Sequence, residues 1–138
     1  MSKNKVTSRA KIESTPCPCG LSAAYVACCG RWHAGEAAPT AELLMRSRYA
    51  AFVLQNETYL LASWYAATRP LAIPFEPGTK WLGLQIVSTR AIDAEHAEVE
   101  FIARFRVGGA SAQRIHERSR FVRDQGIWFY VDGEHQHS

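Results

Sequence analysis

The sequence predicts an α+β protein, helices first and an antiparallel sheet after them, with a cysteine-rich loop in front. Three observations predict it. Residues 39–56, PTAELLMRSRYAAFVLQN, read as a helix behind a start signal. From Trp81 onward the apolar residues recur with a period of two. All four cysteines of the chain fall within CPCGLSAAYVACC, residues 17–29.

The 138 residues suit one domain that buries a core without covalent staples. Charged residues are 21% and apolar residues 47%, the balance of a globular protein, and the net charge of +3 promises no large basic surface. No apolar run approaches the roughly 18 residues of a membrane span, so no membrane partner is expected. Residues 1–16 carry Lys3, Lys5, Arg9 and Lys11 with no apolar stretch, and read as a solvated tail rather than an export signal. The expected compartment is the cytoplasm, where thiols stay reduced.

A disulfide framework fits that compartment poorly, and Cys28 and Cys29 are adjacent. Metal binding fits better: Cys17, Cys19, Cys28 and Cys29 supply four soft ligands, enough to close a tetrahedral zinc site. Pro16 and Pro18 hold the first pair extended and Gly20 permits a turn after it. Residues 22–29 have helical propensity, which sets the second pair at a short helix end. Four thiolates leave no open position for water or substrate, so the expected Zn²⁺ is structural. His33 is a substitute ligand only if a thiolate is missing, and is expected beside the site or on the surface.

The spacing C-x-C-G-x₄-Y-x₂-C-C-G, carried by Cys17, Cys19, Gly20, Tyr25, Cys28, Cys29 and Gly30, resembles the SEC-C zinc motif. The resemblance implies that the four cysteines ligate zinc. Leu21, Ser22, Ala23 and Ala24 stand where that motif usually has glycine, serine and lysine, so its basic partner-binding surface is not expected here.

Thr40 is the N-cap of the long helix, with Glu42 in the first turn where the helix dipole favours a carboxylate. Leu43, Leu44, Met45, Ala50, Phe52, Val53 and Leu54 go all the way round the wheel, so this helix is buried on most sides. ETYLLASWY reads as a second, shorter helix, and the proline-rich residues 67–81 as a loop. Leu82, Leu84 and Ile86 alternate in a first strand; Val99, Phe101, Ala103, Phe105 and Val107 in a second. Turn signals at Gly108-Gly109 and Gln125-Gly126 bound QRIHERSRFVRD and IWFYV, completing an antiparallel meander with helices on one face. That order fits an NTF2-like cone of helices on a curved sheet, although a period of two carries no curvature.

APTAELLMRSRYAAFV, RPLAIPFEPGTKWLGLQI, VEFIARFRV and IHERSRFVRDQGIWFYVDG together resemble the YchJ family of bacterial proteins, from about Cys17 to Gly133. The resemblance implies an N-terminal SEC-C motif followed by an NTF2-like domain, and implies no activity. The expected organisation is a tail at 1–16, the zinc motif at 17–34, the NTF2-like domain at 35–133 and a tail at 134–138 that holds His135 and His137.

Parity in the third strand turns Glu117 and Ser119 inward with Ile115 and Phe121, and an inward carboxylate needs a partner. Arg46 lies four residues after Glu42 and is assigned to that surface pair. Arg48 has no acidic neighbour on its own helix and is expected to meet Glu117 inside the cone. Arg48, Tyr49, Trp64, Glu117 and Ser119 form the candidate pocket, with Arg69, Trp81 and Trp128 on its rim or wall. Two readings follow: a structural ion pair, or a ligand site in which Arg48 binds an anion, Glu117 is a base and Ser119 orients. A neighbouring arginine would keep the Glu117 pKa low, which argues against a base. A binding or adaptor role is therefore expected over an enzyme. Arg104, Arg106, Arg114, His116, Arg118 and Arg120 fall on polar strand faces and could offer nucleic acid or an acidic protein a basic patch. The remaining expected partners are an unidentified protein, a small molecule and a second copy of the chain.

Overall fold

The computed structural model describes residues 15–136; most of the expected N-terminal tail, and His137 with the last residue, lie outside them. A short bridge between Pro16 and Ala24 closes the cysteine loop. A single 3₁₀ turn over Tyr25–Ala27 leads into helix α1, Cys29–His33.

Helix α2, Ala41–Val53, begins where the sequence placed it: the Thr40 hydroxyl accepts from the Leu43 N–H at 3.1 Å. Such a cap contributes about 1 kcal/mol. Eight of its thirteen residues are buried, in keeping with apolar side chains all round. Gln55, at φ 55°, turns the chain, and the Asn56 side chain caps helix α3, Glu57–Ala62. That helix stops short of the expected Trp64 and Tyr65, because both leave to pair with the last strand. Tyr65 N–H donates to the Tyr130 carbonyl at 2.7 Å, and Tyr130 N–H to the Ser63 carbonyl at 2.9 Å.

Four strands follow, β1 Thr79–Ala91, β2 His96–Val107, β3 Gln113–Asp124 and β4 Ile127–His135, each antiparallel to the next in sheet order β1-β2-β3-β4. Gln125 (φ 51°) and Gly126 (φ 78°) form the two-residue turn whose twist matches a hairpin. The β2 alternation holds from Ala97 to Ala103, with Ala97, Val99, Phe101 and Ala103 buried, and fades at the half-buried Phe105 and Val107.

The expected alternation in β1 holds for Leu84 and Ile86 but not for Leu82. Extra residues at Leu82 and Val87 shift the register twice, so Trp81, Leu84 and Ile86 face the helices while Leu82 is 38% exposed. A third shift falls in β4 opposite Arg120 and Phe121. Bulges bend and twist a strand, so these three supply curvature that periodicity could not carry. The C-terminal boundary also moves. His135 pairs with Glu117, and Gln136 N–H donates to the His116 carbonyl at 2.7 Å, so residues 134–136 extend the sheet rather than fray.

Helix α2 lies against β1, β2 and β4. Leu44, Met45 and Tyr49 join Val99, Phe101 and Phe121 in the main core, and all four cysteines belong to the same cluster. The cysteine loop and the sheet-and-helix body therefore share one core. None of the described helices is long and apolar enough to cross a membrane.

Candidate metal centre and cone pocket

The four cysteine sulfurs lie within 4.8 Å of one another, and the residues are 5%, 0%, 7% and 1% exposed in chain order. Cys19 Sγ and Cys28 Sγ are 3.6 Å apart and no cysteine is in a disulfide. A tetrahedral thiolate site with bonds of about 2.3 Å sets its sulfurs about 3.8 Å apart, so the donor set fits a metal ion of that size. Without a cation the four thiols cannot ionise together. Hydrogen bonds from Cys19 and Cys29 favour the thiolate at Cys17, whereas burial pushes Cys28 up to about 12 and its bonds to Cys17 push Cys29 up as well. A dication removes that conflict by stabilising every thiolate together.

Local geometry holds the cluster. Gly30, just past the Cys28-Cys29 pair, sits so close to Tyr25 that a Cβ there would meet the Tyr25 carbonyl oxygen at 2.7 Å. The Tyr25 hydroxyl donates to His33 Nδ1 at 2.6 Å, and His33 Nε2–H donates to the Ser47 carbonyl of α2 at 2.8 Å. His33 is thus a strut beside the cluster and not one of the grouped ligands. Arg46 pairs with Glu42 as the spacing implied (3.0 Å), and its other arm donates to the Cys19 carbonyl at 2.8 Å. That second bond spans a long stretch of chain and left no local signal.

On the far side of α2 a cavity of about 210 Å³ opens between helix and sheet. Arg48, Tyr49, Trp64, Glu117 and Ser119, the five residues expected there, all line it, with Trp81. The expected Arg48–Glu117 ion pair does not form: among the described residues no carboxylate approaches the guanidinium within ion-pair distance. Instead Arg48 Nη1 donates to the Leu60 carbonyl (2.8 Å) and the Ser63 hydroxyl (2.6 Å), both at the C-terminal end of α3. Its guanidinium lies over Tyr130 (4.4 Å) and Trp64 (5.0 Å). Burial lowers its pKa to about 10, so it remains a cation at neutral pH.

Glu117 is turned away from Arg48 by its own strand neighbours. Its Oε2 accepts from Ser119 Oγ at 2.9 Å, and the carboxylate occupies the space where a Cβ on Gly133 would stand. Gly133 faces Ser119 across the β3–β4 ladder, so the missing side chain is the seat of the carboxylate. Tyr130 and Gly133 escaped the sequence reading, although a glycine inside a strand often marks close approach. IWFYV is apolar on both faces, which hides the parity of Tyr130. Two expected rim residues lie elsewhere. Exposed Arg69 donates to the Trp64 carbonyl, and Trp128 packs beside Arg123 on another part of the surface.

Helices on one face of a curved four-stranded sheet, with a four-cysteine loop merged into the same core, define an NTF2-like protein bearing a SEC-C motif. The family described as "YchJ, middle NTF2-like domain" matches residues 40–133. A UPF0225 protein of Methylibium petroleiphilum is 59% identical over 128 residues, 91% of this chain and 92% of that protein. A UPF0225 protein of Polaromonas naphthalenivorans is 54% identical over 134 residues, 88% of this chain and 98% of that one. Among solved structures, a SEC-C motif containing protein from Rhodopseudomonas palustris superposes with a TM-score of 0.78 at 33% identity, over 89% of this chain and all of that one. The chain belongs to the YchJ family of UPF0225 proteins.

Proposed function

We propose that this protein is a zinc-clamped binding module whose cone holds a small amphoteric molecule. The Cys17, Cys19, Cys28 and Cys29 set takes one structural Zn²⁺, which fixes α1 against α2 and leaves no coordination position for chemistry. The observation that carries the ligand reading is Arg48. It is 3% exposed, uses only Nη1 among its nitrogens, and leaves its other N–H donors without an acceptor among the described residues on the wall of a cavity. A buried cation lacking a paired anion is costly, and an anionic group of a ligand would relieve it. Glu117, held by Ser119, offers the same cavity an acceptor for an N–H or O–H donor. Aromatic walls suit an apolar body between those two ends.

A second reading rests on the Nη1 contacts themselves. Arg48 closes the C-terminal end of α3, where a cation is favourable, and could act there only as a structural pin. Tryptophan fluorescence separates the two. Phenylalanine, phenylpropionate and phenethylamine carry both charges, only the anion and only the cation. The ligand reading expects phenylalanine to quench most strongly and Arg48→Leu to abolish the effect while zinc stays bound. Silence from all three probes, with no organic molecule retained in native mass spectra of protein purified from cells, leaves only the pin.

A further inference from the structure

The outer face of the sheet divides its cations into two groups. Toward one end every basic residue has a carboxylate. Glu100 receives both His116 (2.7 Å) and Arg118 (3.3 Å), Arg120 grips Asp132 through two bonds of 2.6 Å, and Arg90 lies 3.7 Å from Glu98. Toward the other end stand Lys80, Arg104, Arg106 and Arg114, and none of them has an ion pair or side-chain hydrogen bond among the described residues.

Their placement opposes like to like. Lys80 is the cross-strand partner of Arg106, and Arg104 that of Arg114. Directly opposed like charges destabilise a sheet. Gly83 faces Arg104 from β1 and provides no side chain to cover it. Adjacent strands lie about 4.8 Å apart and alternate residues of a strand about 6.8 Å, so four uncompensated cations occupy a patch on the order of 10 Å across. Inward-facing Ala103 and Phe105 fix the outward direction of Arg104 and Arg106.

We propose that Lys80, Arg104, Arg106 and Arg114 form a docking surface for the phosphate backbone of a nucleic-acid duplex. A duplex presents one negative charge per roughly 1.7 Å of axis, about six over the length of this patch, which relieves both opposed pairs together. The neighbouring outward positions, Gln85, Ile102 and His116, provide no Phe, Tyr or Trp for a splayed base, so single-strand stacking is not supported. His116 is held by Glu100, which leaves the single carboxamide of Gln85 against four phosphate-seeking cations; binding is governed by the backbone and depends little on sequence. This surface shares no residue with the cone pocket and stands whether or not that pocket takes a ligand.

The test is fluorescence anisotropy of labelled duplex RNA and duplex DNA, with the zinc-loaded protein, from about 25 to 200 mM salt. Four phosphate contacts predict a log–log salt slope of about −3.6, at roughly −0.9 per contact. Arg104→Gln with Arg114→Gln should reduce that slope by about 1.8, whereas Arg120→Gln, which removes a paired cation, should leave it nearly unchanged. Retained zinc and an undiminished thermal midpoint in the double variant establish that it is folded. Failure to bind either duplex at the lowest salt overturns the proposal. So does binding that the double variant leaves intact, or polyglutamate binding tighter than both duplexes, which would assign the surface to an acidic protein.

Discussion

Arg46 ties the cysteine loop to the long helix. One arm reaches the Cys19 carbonyl at 2.8 Å and the other holds Glu42 at 3.0 Å. The contact joins the backbone of a residue of the cysteine cluster to α2, and Arg46 is mostly shielded from solvent, at 14% side-chain exposure. Removing a charged hydrogen bond of this kind costs about 1.5 kcal/mol. Arg46→Ala should lower the thermal midpoint by roughly 5 °C and speed zinc transfer to a chromophoric chelator. Arg46→Lys should recover only part of this, because an ammonium cannot span both acceptors as a fork does. An unchanged transfer rate in the alanine variant would show that the loop does not depend on this tie.

Metal analysis of reduced protein should give one zinc per chain, and none for Cys19→Ser. Cys19 is fully buried, and without metal its neighbours remain a packed group of thiols that cannot ionise together. A loss of about 3 kcal/mol, roughly 10 °C in midpoint, is expected for this variant and for wild type treated with a strong chelator. Equal midpoints with and without metal would mean that the loop holds itself together through packing alone.

Gly133→Ala places a methyl group where the Glu117 carboxylate sits. The carboxylate is the flexible end of its side chain and will move. Ser119, fully buried, then loses the acceptor of its hydroxyl. Leaving a buried donor unpaired costs on the order of 1–3 kcal/mol. Gly133→Ala combined with Ser119→Ala removes the orphaned hydroxyl and should recover much of that loss, which urea denaturation of the two variants measures directly.

His33 sets a dependence on mild acid. Burial holds its pKa below the ordinary histidine value of 6.5. With Nε2–H given to the Ser47 carbonyl, Nδ1 must accept from Tyr25, so the folded protein keeps the ring neutral. The unfolded chain takes up the proton first as pH falls. Stability from this group is complete above about pH 6.5 and declines as pH drops through that value toward the lower folded one. Thermal midpoints measured from pH 7.5 to about 5.5, with zinc content checked at each point, should fall for wild type. His33→Phe should give a flatter profile from a lower starting point; a profile parallel to wild type would remove His33 as the cause.

Much of this protein was legible in the order of its residues. Thr40 and Glu42 announced α2, the two-residue period announced β2 and β3, and the crowded cysteines announced a thiol cluster that could hold a metal ion, because each signal is local. The inward parity of Glu117 and Ser119 was also readable, since β3 pairs with β2 without a register shift.

Tertiary structure decided the rest. The bulge at Leu82 turned that residue outward while Leu84 and Ile86 kept their inward parity, pairing with β4 ended α3 early, and pairing with β3 drew His135 into the sheet. Arg48 turned to the end of α3 instead of Glu117, because the Leu60 carbonyl and Ser63 hydroxyl lay nearer and Gly133 left the carboxylate a seat beside Ser119. The uniform basic stripe of β2 and β3 likewise became two groups once neighbouring strands supplied acids to one end and like charges to the other. Sequence determines what a residue can bond to within a turn or along a strand. Which of several distant partners it meets depends on register and curvature, and those are fixed only when the strands close against the helices.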